Sequence, residues 1–436
     1  MSENECLRLE TEYINLSNKF LVKSCDYQKQ FSHIYAFRLA EMTKLLISKA
    51  QQKWGDKYPI LKLCELREES KDACIIIGTI FKHQAYKPSI LREISEENQL
   101  APQPQRQYYA DPEDKLILED ELQRVRLYGK VDARTMATGV VCAVLGTIEE
   151  DGRFEVEDII YYESGPQKVI SSNVAPKQQR HLVLISGLDQ TESHYFIDSL
   201  NLFQHWLSGN LVPSGNGTNQ LVRLVVAGNS VRSTSELKVA ALQTRNAEPS
   251  NILEAVCELD QWFSKWSSTI PVDVMPGEFD PANFMLPQQP FHQCMFPQAA
   301  ANSSFSRVTN PHACEVDDIL IVGCSGQNVK DILRTTLISD PMEALRSTLI
   351  WSHIAPTSPD TLGCYPYVDS DPFIMHQCPH VYFVGNCDEF QTDLHVGSSD
   401  QRTRLVCVPS FAKTQCVAVV NLDTLECRKV SFYVSE

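Results

Sequence analysis

Four short loops carry the side chains best placed to do chemistry in this chain. They read "SGLDQ" (186–190), "AGNSVR" (227–232), "PGEFDP" (276–281) and "GNCDEF" (385–390), and each follows an apolar run. Asp189, Glu278, Asp280 and Asp388 are hard oxygen ligands, the kind that hold a divalent cation. Two-metal phosphoester hydrolysis asks for more. A carboxylate must bridge the ions, imidazoles must complete each shell, and a bound water must become the nucleophile. None of the four loops contains a histidine. Gly187 offers no side-chain oxygen, Phe279 cannot coordinate, and Arg232 would bring a cation to the ions. Asn229 and Asn386 are neutral amides, without the charge that holds two ions together. Two readings follow: the remains of a metal centre, or a single hard cation on the surviving oxygens.

Ligands in α/β proteins bind beyond the carboxyl ends of strands, so the elements behind the loops decide whether the four can meet. From residue 181 the chain alternates. The strand "HLVLIS" precedes a helix from about Thr191 to Leu207 with Phe196, Leu200, Phe203 and Leu207 on one face. "QLVRLVVAG" is a second strand. A helix capped near Ser250 or Asn251 turns Ile252, Val256, Leu259 and Phe263 inward. "VDVMPG", "DDILIVG" and "HVYFVGN" are apolar strands closing on glycine, and the tail from Arg404 reads as a meander of strands.

Upstream the texture is β. "ACIIIGTIF", "DKLILED" and "QRVRLYGKV" are strands, and "TGVVCAVLGTIEEDGRFEVEDIIYYE" is a hairpin turning at Asp151-Gly152. Short strands without intervening helices predict a small closed or half-closed barrel. Before it, Phe31, Ile34, Tyr35, Met42, Leu45 and Leu46 share a stripe, which predicts a helix ended by "GDKYP". The polar, proline-bearing stretch 95–115 reads as a loop. The expected organisation is an extension without periodicity (1–25), a helical segment (26–58), a barrel (59–166), a linker (167–180) and an α/β domain (181–436). The fold class is a multidomain mixture of α+β and α/β.

Bulk properties narrow the partners. At 436 residues the chain has room for two or three domains of about 150 residues. No run approaches the roughly 18 apolar residues of a spanning helix. The start "MSENECLRLE" has neither the apolar core of a secretory signal nor the arginines of a transit peptide, which points to cytosol or nucleus. The 15 cysteines are scattered, with no Cys-x-x-Cys pair, and most lie in apolar runs, as Cys74, Cys142 and Cys407 do. They read as reduced core thiols rather than zinc ligands. A net charge of −16 argues against a broad phosphate-gripping surface and favours protein partners.

In order and setting the four loops resemble those of calcineurin-like metallophosphoesterases, whose strands end in Asp-x-His, Gly-Asp-x-x-Asp, Gly-Asn-His-Asp/Glu and Gly-His-x-His. Against that pattern Gly187 stands for the first Asp and Asp189 for the His. Asn229 replaces the bridging Asp and Arg232 the final Asp. Glu278 and Phe279 replace Asn and His, with Asp280 kept, and Asn386 and Asp388 replace both histidines of the last motif. Longer strings, "VDVMPGEFDPANFMLPQQPFHQCMFP", "VGCSGQNVKDILR", "HIAPTSPDTLGCYPY", "CPHVYFVGN" and "IFKHQAYKPSILREISEE", are similar to the B-subunit family of replicative DNA polymerases from about residue 30 onward.

That resemblance implies an N-terminal helix, an oligonucleotide/oligosaccharide-binding (OB) barrel and a degenerate calcineurin-like phosphoesterase sandwich. It implies a nuclear, non-catalytic subunit without cofactor or metal, serving DNA replication and repair synthesis. Its implied partners are the Cys-rich C-terminal module of a catalytic polymerase subunit and the N-terminal part of a third, clamp-contacting subunit. On the residues alone, a metal-dependent phosphodiesterase with altered ligands is the alternative.

Three further groups bear on partners. OB barrels that hold single strands stack bases on aromatics in a basic groove. Phe81, Tyr86, Tyr108, Tyr109 and Tyr128, with Lys82, Lys87, Arg124 and Arg126, could form one, although barrel filling explains the aromatics more simply. The prolines at 281, 287, 290 and 297 make an extended strap carrying Phe284, Met285, Phe291, Met295 and Phe296. These five suit either the chain's own core or a partner groove. His353 reads as a structural histidine.

Overall fold

The computed structural model describes residues 8–23, 27–67, 72–87, 108–163, 165–169, 179–191, 196–211, 220–232 and 250–433. Most of the loop expected at 95–115 and of the linker at 167–180 lies outside the described residues, as does the start of the helix expected from Thr191. Two compact units share the chain. One takes 1–24, 166–327 and 377–436, the other 25–165 and 328–376. The division is not contiguous: 328–376, expected with the α/β domain, groups with the barrel. Strands are numbered along the chain, and β1 (Tyr13–Asn15) belongs to the first of these units.

In the barrel unit, helix α1 (Ser32–Trp54) buries Ile34, Arg38, Met42, Leu46 and Ala50 at a four-residue spacing. It stops at Gly55, whose φ of 71° suits glycine and whose N–H bonds Gln51 O at 2.9 Å. Phe31, expected on the buried stripe, precedes the helix and is exposed. The strands are β2 (Ile60–Leu61), β3 (Cys74–His83), β4 (Lys115–Glu119), β5 (Arg124–Gly129), β6 (Val141–Ile148) and β7 (Arg153–Ile160). Their order is β2-β3-β4-β5-β7-β6, and β6 pairs back on β3, so five of them close a barrel. The β6–β7 hairpin turns at Gly152, with φ of 75°. β3 shows no clean alternation because it is covered on both sides. One face lines the barrel, and Ile75 on the other packs with Met42, Leu46 and Ala50 of α1.

The other unit holds two six-stranded sheets. The first runs β11 (Phe305–Arg307), β10 (Val272–Met275), β9 (Leu221–Ala227), β8 (His181–Ile185), β17 (Cys416–Asn421), β18 (Cys427–Ser431). The second runs β1, β12 (His312–Val316), β13 (Ile319–Cys324), β14 (Val381–Cys387), β16 (Arg402–Pro409), β15 (Gln391–Val396). Leu184 and Val225 of one sheet share a core with Ile321, Phe383 and Val406 of the other. Helices α2 (Ile197–Leu207) and α3 (Ser250–Ser267) cover the far face of the first sheet through Phe203, Leu259, Phe263 and Trp266.

The tail departs from the expected run of strands, since a short helix (Phe411–Thr414) separates β16 from β17. The extension also has regular structure: Tyr13–Asn15 pair antiparallel with Cys314–Val316, and Phe20 is buried. No helix among the described residues is long and apolar enough to cross a membrane.

Candidate functional site at the strand ends

β8, β9 and β10 are parallel neighbours, as are β13, β14 and β16 in the second sheet. Their carboxyl ends therefore fall together, and hydrogen bonds join the four loops. Gly187 N donates to Gly228 O at 2.9 Å, and Asp189 N to Asn229 O at 3.2 Å. Phe279 N donates to Asn229 Oδ1 at 3.2 Å. Asn386 N donates to Ser186 Oγ at 2.9 Å, and its Nδ2 to Ala227 O and Ser325 O at 3.1 and 2.7 Å. The backbone is strained where they meet. Asp189, Asn229 and Asn386 hold φ of 42°, 54° and 59°, in the left-handed region that short polar side chains tolerate best.

The oxygens of Asp189, Asn229 and Asp280 are committed to protein groups. Asp189 is buried and accepts from Thr191 Oγ1 at 2.9 Å. Asp280 accepts from Val231 N and Gly277 N, both at 2.8 Å. Burial pushes its carboxyl up to about 6, against the lowering pull of those amides. Asp388 does not join the group. It is exposed and pairs with Lys413 at 3.0 Å. Arg232, Glu278 and Phe279 are half-buried.

Several participants were not anticipated. Ser186, Ser325 and Ser410 supply hydroxyls at the same strand ends, and Ser410 Oγ donates to Gly187 O at 3.2 Å. Asn310 Nδ2 reaches Gln288 Oε1, Ser325 Oγ and Gln327 Oε1 at 2.7, 2.8 and 3.0 Å. A signal existed for part of this: "DDILIVGCSG" is another apolar strand running into small residues and glycine. Neutral amides and hydroxyls here pin two sheets together at about 1 kcal/mol net per bond.

Among the described residues, the His, Cys and carboxylate atoms close enough to share an ion belong to Asp273, His312 and Cys314, within 4.8 Å of one another. They lie on β10 and β12, not in the loops. Arg223 bonds Asp273 Oδ1 at 2.8 Å, and its guanidinium lies 3.4 Å from the centroid of the Tyr13 ring. Burial would raise the Asp273 carboxyl, but His312 and Arg223 together hold it below its usual range. The charge is already balanced by a guanidinium, which would repel a cation.

The basic and aromatic set expected on the barrel is partly consumed. Lys82 is buried, 3.3 Å from Asp114, and donates to Thr335 O at 3.0 Å, so it cannot reach a phosphate. Tyr109 is buried under the Arg334 guanidinium at 4.9 Å. Arg153 lies over Tyr128 at 4.8 Å, and Lys87 pairs with Asp360. Arg124, Arg126, Tyr86 and Tyr108 remain exposed. In the strap, Phe291 and Phe296 are core residues, Met285 and Met295 are half-buried, and Phe284 is 65% exposed. His353 Nε2 donates to Asp371 Oδ2, 2.9 Å away, inside the barrel unit.

Comparison with known proteins matches both units. Residues 182–392 fit the family described as the DNA polymerase alpha/epsilon B subunit, and 30–159 the DNA polymerase delta subunit OB-fold domain. These matches define the class, a B-type accessory subunit of DNA polymerases with an OB barrel. The chain is 62% identical to DNA polymerase delta subunit 2 of Drosophila melanogaster over 98% of its length and 99% of that protein. It is 39% identical to the DNA polymerase delta small subunit of Oryza sativa, over 98% of this chain and 99% of that one. The Saccharomyces cerevisiae small subunit is 29% identical, over 95% of this chain and 92% of that one. The chain belongs to the DNA polymerase delta small-subunit family.

Proposed function

We propose that this chain is a non-catalytic regulatory subunit of a nuclear DNA polymerase delta complex, serving replication and repair synthesis. Its 181–436 segment derives from a calcineurin-like phosphoesterase that has lost its metal centre, and 59–166 is its OB barrel. One observation carries the reading: at the strand ends, side-chain oxygens that could serve ions are spent on the backbone. Asp280 gives both oxygens to backbone N–H groups, and Asn229 Oδ1 accepts from Phe279 N.

Freed from hydrolysis, the chain works by geometry. It holds the Cys-rich C-terminal module of the catalytic subunit and the N-terminal region of a third, clamp-contacting subunit, raising their effective concentration at the primer end. Phe284, exposed on a strap anchored from within by Phe291 and Phe296, suits one such contact. Any DNA contact is weak or indirect. The test is co-expression with the Cys-rich module of a delta-type catalytic subunit, followed by size-exclusion light scattering. A one-to-one complex is expected. Elution of the folded chain alone would overturn the reading.

A further inference from the structure

A cleft of about 430 Å³ opens on the barrel unit between α1 and β3. Its floor is apolar, with Tyr35, Ala36 and Leu39 from α1 and Ile80 and Phe81 from β3. Its rim is acidic, with Glu119, Asp120 and Glu121 at the β4–β5 turn and Asp360 opposite, and among the described residues that line it there is no Lys or Arg.

These carboxylates are not equivalent. Asp120 is spent inside the turn, accepting from the N–H groups of Leu63, Leu122 and Gln123 at 3.2, 2.8 and 2.7 Å. Among the described residues Glu119 pairs with the exposed Arg124 at 3.6 Å, and Glu121 is exposed. The field of the rim reaches the floor. Burial pushes the Tyr35 hydroxyl up, Arg38 opposes this, and Asp360 and Glu119 add to it. Leu122, 76% exposed in the same turn, adds apolar surface beside the rim.

The chain itself shows what suits this site. The Lys87 ammonium reaches Asp360 and stands 5.9 Å from the centroid of the Phe81 ring. A cation thus meets carboxylate and aromatic face together at one end, an arrangement favourable to Lys or Arg. A phosphate backbone would be repelled, and a purely apolar segment would strand the carboxylates.

We propose that this cleft docks a basic, aliphatic segment of a partner protein, its aliphatic side chains on the floor and its cations at Glu119 and Glu121, beside the Lys87–Asp360 pair. The proposal rests on the scaffolding reading for the nature of its occupant, and it gives one contact a surface and a chemistry.

The probe is a short fluorescein-labelled peptide alternating leucine with arginine, titrated against the full chain by fluorescence anisotropy. Its counterpart carries glutamate for arginine. The arginine peptide is expected to bind and the glutamate peptide not to. The Glu119→Lys/Glu121→Lys double variant should weaken binding about tenfold or more. Asp198→Lys/Glu254→Lys makes the same change in net charge on the other unit and should alter binding less than about twofold. Ala36→Gln fills the floor without adding charge and should also weaken binding. Thermal unfolding of each variant checks that it folds.

Equal losses from the two charge reversals would reduce the effect to general attraction and overturn the proposal, as would absence of binding. A doubled mass in light scattering that Glu119→Lys/Glu121→Lys halves would assign the cleft to a second copy and overturn it too. The two readings fail separately. Co-elution with the catalytic module without peptide discrimination removes the cleft alone, and discrimination without co-elution removes the scaffold alone.

Discussion

A side chain at Gly187 would have to enter space that Asn386 holds. The Cβ that Gly187 lacks falls 2.9 Å from Asn386 Oδ1 and 2.5 Å from Ser410 Oγ, and its φ of 61° disfavours any other residue. Gly187 and Asn386, two of the positions at which this chain differs from the metallophosphoesterase pattern, are therefore sterically coupled. Gly187→Asp is expected to lower the free energy of unfolding by about 2–4 kcal/mol through overpacking and left-handed strain. Urea denaturation measures it, and an unchanged midpoint would mean that the loop still has room for a ligand.

Asn386 holds two carbonyls with one amide, and a carboxylate cannot do that. Asn386→Asp, the change that would supply a metal ligand, should destabilise more than Asn386→Ala, by about 1 kcal/mol or more. The cause is a charge placed against Ala227 O and Ser325 O. The same urea series compares them. An Asp variant more stable than the Ala variant would point to a cation already neutralising the site.

Asp280 makes stability depend on pH in an unusual direction. Its folded value of about 6 lies above the 3.8 of an ordinary aspartate, so the fold binds this proton more tightly than the unfolded chain. The contribution is fully present below about pH 4 and is lost as pH rises through about 6, with a span of about 3 kcal/mol. Relative to Asp280→Asn, which never ionises, the native chain should be more stable at low pH than at neutral pH by that margin. Unfolding both across this range is the measurement, and a constant difference would contradict it.

The strand ends were legible because their strands are predominantly apolar, and a fully buried parallel strand needs no alternation to be recognised. "HLVLI" and "LVRLVVA" are buried at every position. What those loops do with their side chains was less legible. Asp388 has the sequence setting of a ligand yet faces Lys413, and only the position of 413 decides that. Lys82 looked free for phosphate because its partners, Asp114 and Thr335, are distant in sequence. β12 was hidden by the polar start of "HACEV", whose His312 meets Asp273 of β10 at 3.6 Å and Ser17, some 300 residues earlier, at 2.7 Å. Nor could local pattern show that 328–376 groups with the barrel. Non-local pairing settles each of these.

Arg38 closes the barrel unit around a buried charge. Its Nε meets Asp371 at 2.7 Å, and its other nitrogens reach the carbonyls of Gly139, Pro356 and Ser358 at 3.1, 2.9 and 2.7 Å. Burial would raise the Asp371 carboxyl, but Arg38 and His353 hold it well below the usual carboxylate range. Arg38→Met should cost about 3–5 kcal/mol, because it leaves the buried Asp371 charge to His353 alone and three buried carbonyls without their donor. Adding Asp371→Asn should recover part of that loss. Chemical denaturation of the single and double variants gives the coupling, and strict additivity would refute the pair.

The central claim is that this chain joins two partners that do not join each other. The most direct measurement is light scattering on the catalytic subunit's Cys-rich module and the third subunit's N-terminal region, mixed with and without the chain. A single species with the summed mass of all three is expected only when the chain is present. Association of the two partners without it, or two separate binary complexes with it, would contradict the account.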